Sequence, residues 1–495
     1  MKPIKILFLC DILNDNHSHL SQGPPASLVG VECGFFRPRG HVKQYLSELR
    51  QLSQLALPLV FTQLAQMSMS VADTIMAGRV SAAELAGVAL GSVVFWPLML
   101  LVSGTVMAIT PSVSQLRGAG REGESGEVVR QAQWIALAGA LVLFFVYRNL
   151  TPLYVFVGVD VAAIPITEDY LSAMSWGVVP AMFYFSMRYL CEGLGWTVPA
   201  MLISASALFL KVPLNYWFIH GGLGVPAMGG EGCGWSSAIV FVYQFVAMLG
   251  IIRFSRVRKV GLYSRFSAPN WVEIKRLIGL GVPIGLTTFF EFSVFSALTL
   301  LIGRLGVDVV AAHQIASNVG ALTFMIPMAL GMAVSIRVGF NVGAEDFVAA
   351  RRSGWVALVA SLGFAVVAAS VLVIANDYIA RAYTTEAAVL VTAAELLLLV
   401  AIYQPADDVQ ATAIGALRGY KDTRTTFVVA VVAYWFVGLP ISVVLGFGLF
   451  ESIDMGVYGY WIGLIVGLSF AAVVLVYRFA RLSKDPGRIA ALAQR

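Results

Sequence analysis

Twelve runs of twenty or more mostly apolar residues constrain this chain more than any other feature. They lie near 51–77, 84–114, 127–148, 168–190, 197–219, 232–254, 272–302, 309–340, 347–375, 387–416, 425–447 and 455–480. About 20 such residues form one helix across a bilayer. In hydrocarbon the backbone must satisfy its own polar groups, which leaves helices and closed barrels. Barrel strands would read as short alternating segments, and the runs here are continuous and long. The connections between them are short and carry breakers such as Gly78, Gly120, Gly221-Gly222 and Gly261. Composition agrees: 58% of residues are hydrophobic and 12% charged, the latter about half the soluble norm. The mean hydropathy is +0.81. That excludes disorder, a nucleic-acid-binding module and a secreted disulfide scaffold. Cys10, Cys33, Cys191 and Cys233 show no CxxC spacing and no adjacent histidine cluster, so neither a zinc site nor a disulfide framework is indicated. The expected fold is an all-α integral membrane protein of twelve transmembrane helices in two pseudo-symmetric six-helix bundles.

The basic residues set the orientation. Of 33 Lys and Arg, 28 fall in both termini and in the loops between runs 2–3, 4–5, 6–7, 8–9 and 10–11. Arg79, Arg148, Arg304 and Arg381 lie on the other side, and Lys211 lies within a run. The positive-inside rule then places both termini in the cytoplasm. The densest patch, Arg253, Arg256, Arg258, Lys259, Arg265, Lys275 and Arg276, surrounds the central loop. Most of these charges do no more than orient helices.

The parts expected are an N-terminal extension (1–41), an N-lobe (42–255), an inter-lobe loop (256–271), a C-lobe (272–482) and a tail (483–495). The extension reads as poorly ordered: Ile4–Leu9 is too short for a signal peptide and Asn14–Pro25 is polar. Val42, Tyr45, Leu46, Leu49 and Leu52 recur at helical spacing beside Lys43, Glu48 and Arg50. That pattern predicts an amphipathic lead-in lying on the membrane surface.

The two halves repeat. A shift of 225 residues matches Pro58 with Pro283, Gly78-Arg79 with Gly303-Arg304, Met107-Ala108 with Met332-Ala333, and Gly118-Ala119 with Gly343-Ala344. A shift of 227 matches Pro213 with Pro440 and Met228-Gly229 with Met455-Gly456. Six runs per copy give both halves one orientation, related by an axis along the membrane normal. Transporters of two bundles flanking a central cavity are built this way.

Ionisable side chains inside a span are expensive and point to function. Asp73 lies toward the outer end of the first helix, and Glu291 is deep in the seventh between aromatics. The tenth holds Tyr403-Gln404-Pro405-Ala406-Asp407-Asp408. Neighbours differ by about 100° round a helix, so the two acids cannot point the same way. Tyr403 shares a face with Asp407 at i,i+4, which favours Asp407 as the cavity-facing acid. Pro405 leaves the carbonyl of Ala401 without its helical donor. Carboxylates, a phenol and a freed carbonyl suit protons or a hard monovalent cation, not a transition metal. His313 reads as a core residue. Lys211, one turn before Asn215, is too deep to snorkel easily and needs an acid, for which Asp73 is the candidate.

Over residues 42–480 the chain resembles the multidrug and toxic compound extrusion (MATE) family, NorM-like branch. The resemblance rests on Asp73-Thr74-Ile75-Met76-Ala77-Gly78, Phe289-Phe290-Glu291, Val310-Ala311-Ala312-His313-Gln314, Val334-Ser335-Ile336-Arg337-Val338-Gly339, Tyr403-Gln404 with Asp407, and Gly415-Ala416-Leu417-Arg418-Gly419-Tyr420-Lys421-Asp422. It implies export of amphipathic, often cationic drugs against inward Na⁺ or H⁺, with no cofactor and no enzymatic activity. It also implies a multi-pass protein of a bacterial inner membrane, working as a monomer with lipid and small molecules as its partners. Glu291, Tyr403 and Asp407 would bind the coupling cation, with Asp73 and Asn215 as the polar pair of the N-lobe. The family commonly has asparagine where this chain has Lys211, and an ammonium beside Asp73 would occupy the place of a metal ion.

The reading for the cycle is antiport: cation entry neutralises Glu291 and Asp407, weakens drug binding and biases the lobes toward one packing. One charge moving through 100 mV supplies about 2.3 kcal/mol, enough for roughly fifty-fold accumulation. Phe289, Phe292, Phe295, Met325 and Met328 are candidates for a tolerant cavity wall. A flippase of lipid-linked precursors is the alternative within the superfamily, but it calls for a basic cavity where the mid-span charges here are mostly acidic. A membrane enzyme would need a nucleophile–base set or metal ligands, and neither is present in the sequence pattern.

Overall fold

The computed structural model describes residues 39–157, 163–222, 224–448 and 455–494. The expected extension falls, but for its last few residues, outside these, as do Cys10 and Cys33. Helices account for nearly all of the described chain. They are α1 (Arg39–Gly78), α2 (Ala82–Val106), α3 (Ile109–Gly118), α4 (Ser125–Tyr147), α5 (Thr151–Val157), α6 (Ile164–Ser175), α7 (Val178–Gly193), α8 (Val198–His220) and α9 (Gly230–Phe254). The second half has α10 (Trp271–Ile302), α11 (Val307–Gly343), α12 (Phe347–Tyr383), α13 (Ala387–Gly419), α14 (Thr423–Val431), α15 (Leu439–Gly446), α16 (Gly456–Leu482) and α17 (Pro486–Ala493).

Among the described residues, eleven spans are each long and apolar enough to cross a membrane. The twelfth is α6 followed by α7, broken at Trp176-Gly177 and so too short in each part. A π-helical segment, Val432–Gly438, joins α14 to α15. Pro440 follows it; a proline has no N–H to give and its ring crowds the carbonyl four residues back, which a wider turn relieves.

Two apolar cores form, one for each half of the chain. The first helix of each half contributes to both. Leu52, Ala56 and Leu59 at the start of α1 pack in the C-terminal core, while Leu277 and Leu280 at the start of α10 pack in the N-terminal one. Leu52 and Leu277 stand 225 residues apart, so this exchange obeys the repeat.

The predicted amphipathic lead-in is not a separate surface helix but the opening turns of α1. Tyr45, Leu46 and Leu49 are exposed, whereas Glu48 is buried. The reason is an ion pair: Glu48 accepts from Arg337 of α11 at 2.8 and 2.9 Å and from Ser353 of α12 at 2.6 Å.

The halves meet closely where α3 crosses α11. A Cβ on Gly118 would lie 1.9 Å from the carbonyl oxygen of Phe340, and one on Gly343 would lie 1.9 Å from that of Gln115. Gly118 and Gly343, like Gln115 and Phe340, are 225 residues apart, so the contact is reciprocal about a pseudo-twofold axis. Only glycine permits such an approach of two backbones. Gln115 adds a bond from Nε2 to the Gly419 carbonyl at 3.0 Å.

Candidate functional site: buried charges in two lobes

In the N-lobe, Asp73 of α1 meets two side chains of α8. Its Oδ1 accepts from Asn215 Nδ2 at 2.7 Å and lies 2.9 Å from Lys211 Nζ. Lys211 and Asn215 are one helical turn apart and share a face. The ammonium also donates to Ser236 Oγ at 2.8 Å, to Ser237 Oγ, and to the Cys233 carbonyl at 3.2 Å, all on α9. Ser236 in turn donates to Asn215 Oδ1. Lys211 is 2% exposed, so this is a buried cation with every direction supplied by oxygen. Beside it lies a cavity of about 40 Å³ lined by Asp73, Lys211, Trp96, Tyr170, Phe185 and Phe241 among others, room for a few waters.

In the C-lobe, Glu291 Oε1 faces Gln410 Nε2 at 3.3 Å and the Tyr434 hydroxyl at 3.5 Å. Asp407 is buried one turn past Tyr403 and stands within electrostatic reach of Glu291, with Tyr434 sensing both. Tyr403 senses Asp407 and Asp408 as well, and its hydroxyl lies on the α11 side. A Cβ on Gly320 would lie 2.3 Å from its hydroxyl, and its ring lies 6.0 Å from that of Trp461. Gln410 and Tyr434 thus lie on Glu291, Asp407 is coupled to it electrostatically, and the Tyr403 hydroxyl lies against α11. His313 packs its ring on Trp461 at 5.6 Å, with Nε2 3.0 Å from Thr299 Oγ1.

The buried acids differ in whether a basic side chain meets them. Six acids are buried among the described residues, and four have a basic partner. The pairs are Asp73–Lys211 (2.9 Å), Glu192–Arg188 (2.6 Å), Glu48–Arg337 (2.8 Å) and Asp422–Arg478 (2.7 Å). Asp407 and Asp408 have none within ion-pair distance, and neither does the partly exposed Glu291. The cation that acts on Glu291 is Arg418 on α13, whose Nη1 points at Met107 Sδ (3.0 Å) across the lobe boundary and whose Nε is buried without a partner.

Of the apolar candidates, Phe295 packs against the C-terminal core, and Phe292 is 38% exposed. Phe289 stacks edge-on against Phe290. Met325 is partly buried, and Met328 receives Gln63 Nε2 at 3.5 Å from the other half. The residues not anticipated are Ser236, Ser237, Gln410, Tyr434 and the buried pair Arg188–Glu192. Gln410 was within reach, since it follows Asp407 by three positions and so shares its face.

At the end bearing the charged loops, a cavity of about 960 Å³ is lined by Arg121, Glu127, Arg130, Glu273, Arg276 and Lys421 among others. Lys421 Nζ donates to the Ala493 carbonyl of α17 at 3.0 Å. Burial, and then the neighbouring Arg276, pull this ammonium down to about 7.

Comparison with known proteins places these features. A family model described as MatE matches residues 58–217 and 283–444. "Multidrug resistance protein MdtK" of Yersinia pseudotuberculosis serotype O:1b is 39% identical over 447 residues, covering 90% of this chain and 98% of that protein. The protein of the same name from Yersinia enterocolitica serotype O:8 is likewise 39% identical over 447 residues, with the same coverage. Among solved structures, the eukaryotic MATE transporter AtDTX14 superposes with a TM-score of 0.82 at 18% identity, covering 91% of this chain and 99% of that one. The Vibrio cholerae MATE transporter VcmN in its bent form gives 0.80 at 18% identity, over 90% and 99%.

Proposed function

Since the chain belongs to the MATE family of multidrug transporters, and is a transporter rather than an enzyme, we propose that it is an antiporter. In this reading it exports amphipathic organic cations across a bacterial inner membrane by alternating access, driven by inward Na⁺ or H⁺, as a monomer with both termini in the cytoplasm. The observation that carries it is the asymmetry of the buried acids. Glu291 and Asp407 are electrostatically coupled and, among the described residues, neither has a basic partner at ion-pair distance, the arrangement expected of a place that a mobile cation fills. In the N-lobe the equivalent charge is already met by Lys211, held by one carboxylate and three further oxygens.

The division of labour follows. Glu291 and Asp407 bind the coupling ion, Gln410 and Tyr434 orient Glu291, and Asp73, Lys211 and Asn215 form a fixed strut. Tyr403 borders the site from the α11 side. Ion and drug compete for the same carboxylates, because a ligand shifts a conformational equilibrium only through its differential affinity for the two states. The test is cationic dye accumulation in cells, with external Na⁺ and pH varied independently. Glu291→Gln and Asp407→Asn should each abolish gradient-driven export, while Lys211→Asn should keep the cation dependence of the parent. Export surviving both C-lobe changes yet abolished by Asp73→Asn would overturn the assignment.

A further inference from the structure

Four basic residues at the charged-loop end converge on two adjoining cavities. The first, of about 480 Å³, is lined by Arg117 of α3, Trp196 of the α7–α8 loop, Arg256 and Lys259 of the short 3₁₀ segment Arg256–Val260, and Glu122 among others. The second, of about 250 Å³, shares Arg117 and Trp196 with it and adds Gln51 and Gln54 of α1 and Arg337 and Phe340 of α11. Aromatic faces hold three of the cations in place. The Arg256 guanidinium lies 4.9 Å from the centre of the Trp196 ring, and those of Arg117 and Arg337 lie 5.1 and 5.9 Å from that of Phe340.

These walls carry more positive charge than the chain itself balances. Arg337 is met by Glu48 at 2.8 Å, while Arg117 Nε has only Glu122, at 3.7 Å and exposed. Among the described residues no acid stands within ion-pair distance of Arg256 or Lys259. Arg117 also feels Arg337 and Arg256 as like charges, so an anion in the cavity would be drawn by several cations at once. The same place opens onto an apolar track. Val198, the first residue of α8, lines the second cavity, and Leu202 and Phe209 follow it on one helix face, all three exposed. On a helix that crosses a bilayer such a stripe faces acyl chains. Trp196 stands at its head, and indoles favour the level of the lipid headgroups.

We propose that these two cavities bind one anionic phospholipid, its phosphate among Arg117, Arg256 and Lys259 and an acyl chain along the stripe of Val198, Leu202 and Phe209. Guanidinium forks match phosphate oxygens, and Lys259 adds a point charge. A lipid is favoured over a free anion because the cations head an apolar track that a soluble phosphate could not use. The walls come from both halves of the chain, α3 and the α7–α8 loop from one and α11 from the other, so the bound lipid lies across their junction. In the topology proposed above this end faces the inner leaflet, where anionic lipids attract basic segments. The binding itself does not depend on that assignment.

The probe is dioleoyl phosphatidylglycerol, set against dioleoyl phosphatidylcholine, which has the same chains, and glycerol phosphate, which has the charge without them. Each is added to purified full-length transporter in detergent, and the thermal midpoint is followed as its concentration rises. A ligand that binds only the folded protein raises that midpoint, and the concentration dependence gives an apparent Kd. Phosphatidylglycerol should raise the midpoint of the parent, with the other two compounds well behind. Arg256→Gln/Lys259→Gln should raise its apparent Kd about thirtyfold, from about fivefold for each charge near a headgroup. Arg253→Gln/Arg258→Gln removes the same charge from the same loop at positions that line neither cavity, and should change the Kd far less. All four side chains are exposed, so both variants should keep the lipid-free midpoint of the parent. Equal losses in the two variants would reduce the effect to diffuse attraction, and an equal shift with glycerol phosphate would assign the site to a soluble anion. Either result, or equal affinity for the two lipids, would overturn the proposal.

Discussion

Lys211 is a lysine buried within a span, and its worth is measurable. Removing one partner of a buried ion pair strands the other and costs about 3–5 kcal/mol, while removing both is often close to neutral. Asp73 and Lys211 are 10% and 2% exposed at their side chains, so that range applies with little screening. Asp73→Asn and Lys211→Met should each lower the thermal midpoint of the purified protein by several degrees, and the double substitution should recover most of the loss. Additive losses in the double variant would mean that the contact contributes nothing. At this scale the sequence was informative for several charges inside a span: Asp73, Lys211, Glu291 and Asp407 drew attention by their expense, whereas Arg188 inside the fourth run did not. It was silent on Ser236 and Ser237, because hydroxyls in a membrane helix normally bond their own backbone and advertise nothing. It was silent on Tyr434 too, since a π-helical turn ahead of Pro440 alters which side chains share a face, and helical spacing assumes a regular turn.

Helix crossings hold the next level of information. The 225-residue repeat located Gly118 and Gly343 as equivalent, and the structure puts each against a carbonyl oxygen of the other half. What the repeat could not reveal is that α1 and α10 begin in one core and end in the other, because the same leucine pattern would pack in either. The α3–α11 crossing is a close, reciprocal backbone contact between the halves near the charged-loop end, so it should govern opening there. Gly343→Ala places a methyl where an oxygen already sits, and overpacking of this sort costs about 1–3 kcal/mol. The halves should part more readily at this end. A cysteine at buried Gln115, labelled with a water-soluble maleimide, should react about tenfold faster in the Gly343→Ala background, the equivalent of about 1.4 kcal/mol. Unchanged labelling would show that this crossing does not limit access.

The whole molecule joins two lobes that share a fold but not a charge balance. In the N-lobe Asp73 is met by Lys211; in the C-lobe Glu291 and Asp407 have no base at ion-pair distance among the described residues, and the proposed cycle fills that place with the coupling ion. Two-lobed architecture, twelve spans and the burial of Asp73 and Asp407 were readable from apolar run length, repeat register and misplaced charge, whereas the buried pair Arg188–Glu192 was not. The lining of any drug-binding surface was not, because aromatics and methionines at helical spacing serve equally as core, which is where Phe295 went. The central claim is that ion and drug exclude one another at the C-lobe carboxylates. It is tested most directly by the affinity of the purified transporter for a fluorescent organic cation, measured at rising Na⁺ and, separately, at falling pH. The apparent Kd should rise with at least one of the two ions in the parent and in Lys211→Asn, and should lose that dependence in Glu291→Gln/Asp407→Asn. A dependence that survives in the C-lobe double variant, or dye affinity indifferent to both ions in the parent, would contradict the account.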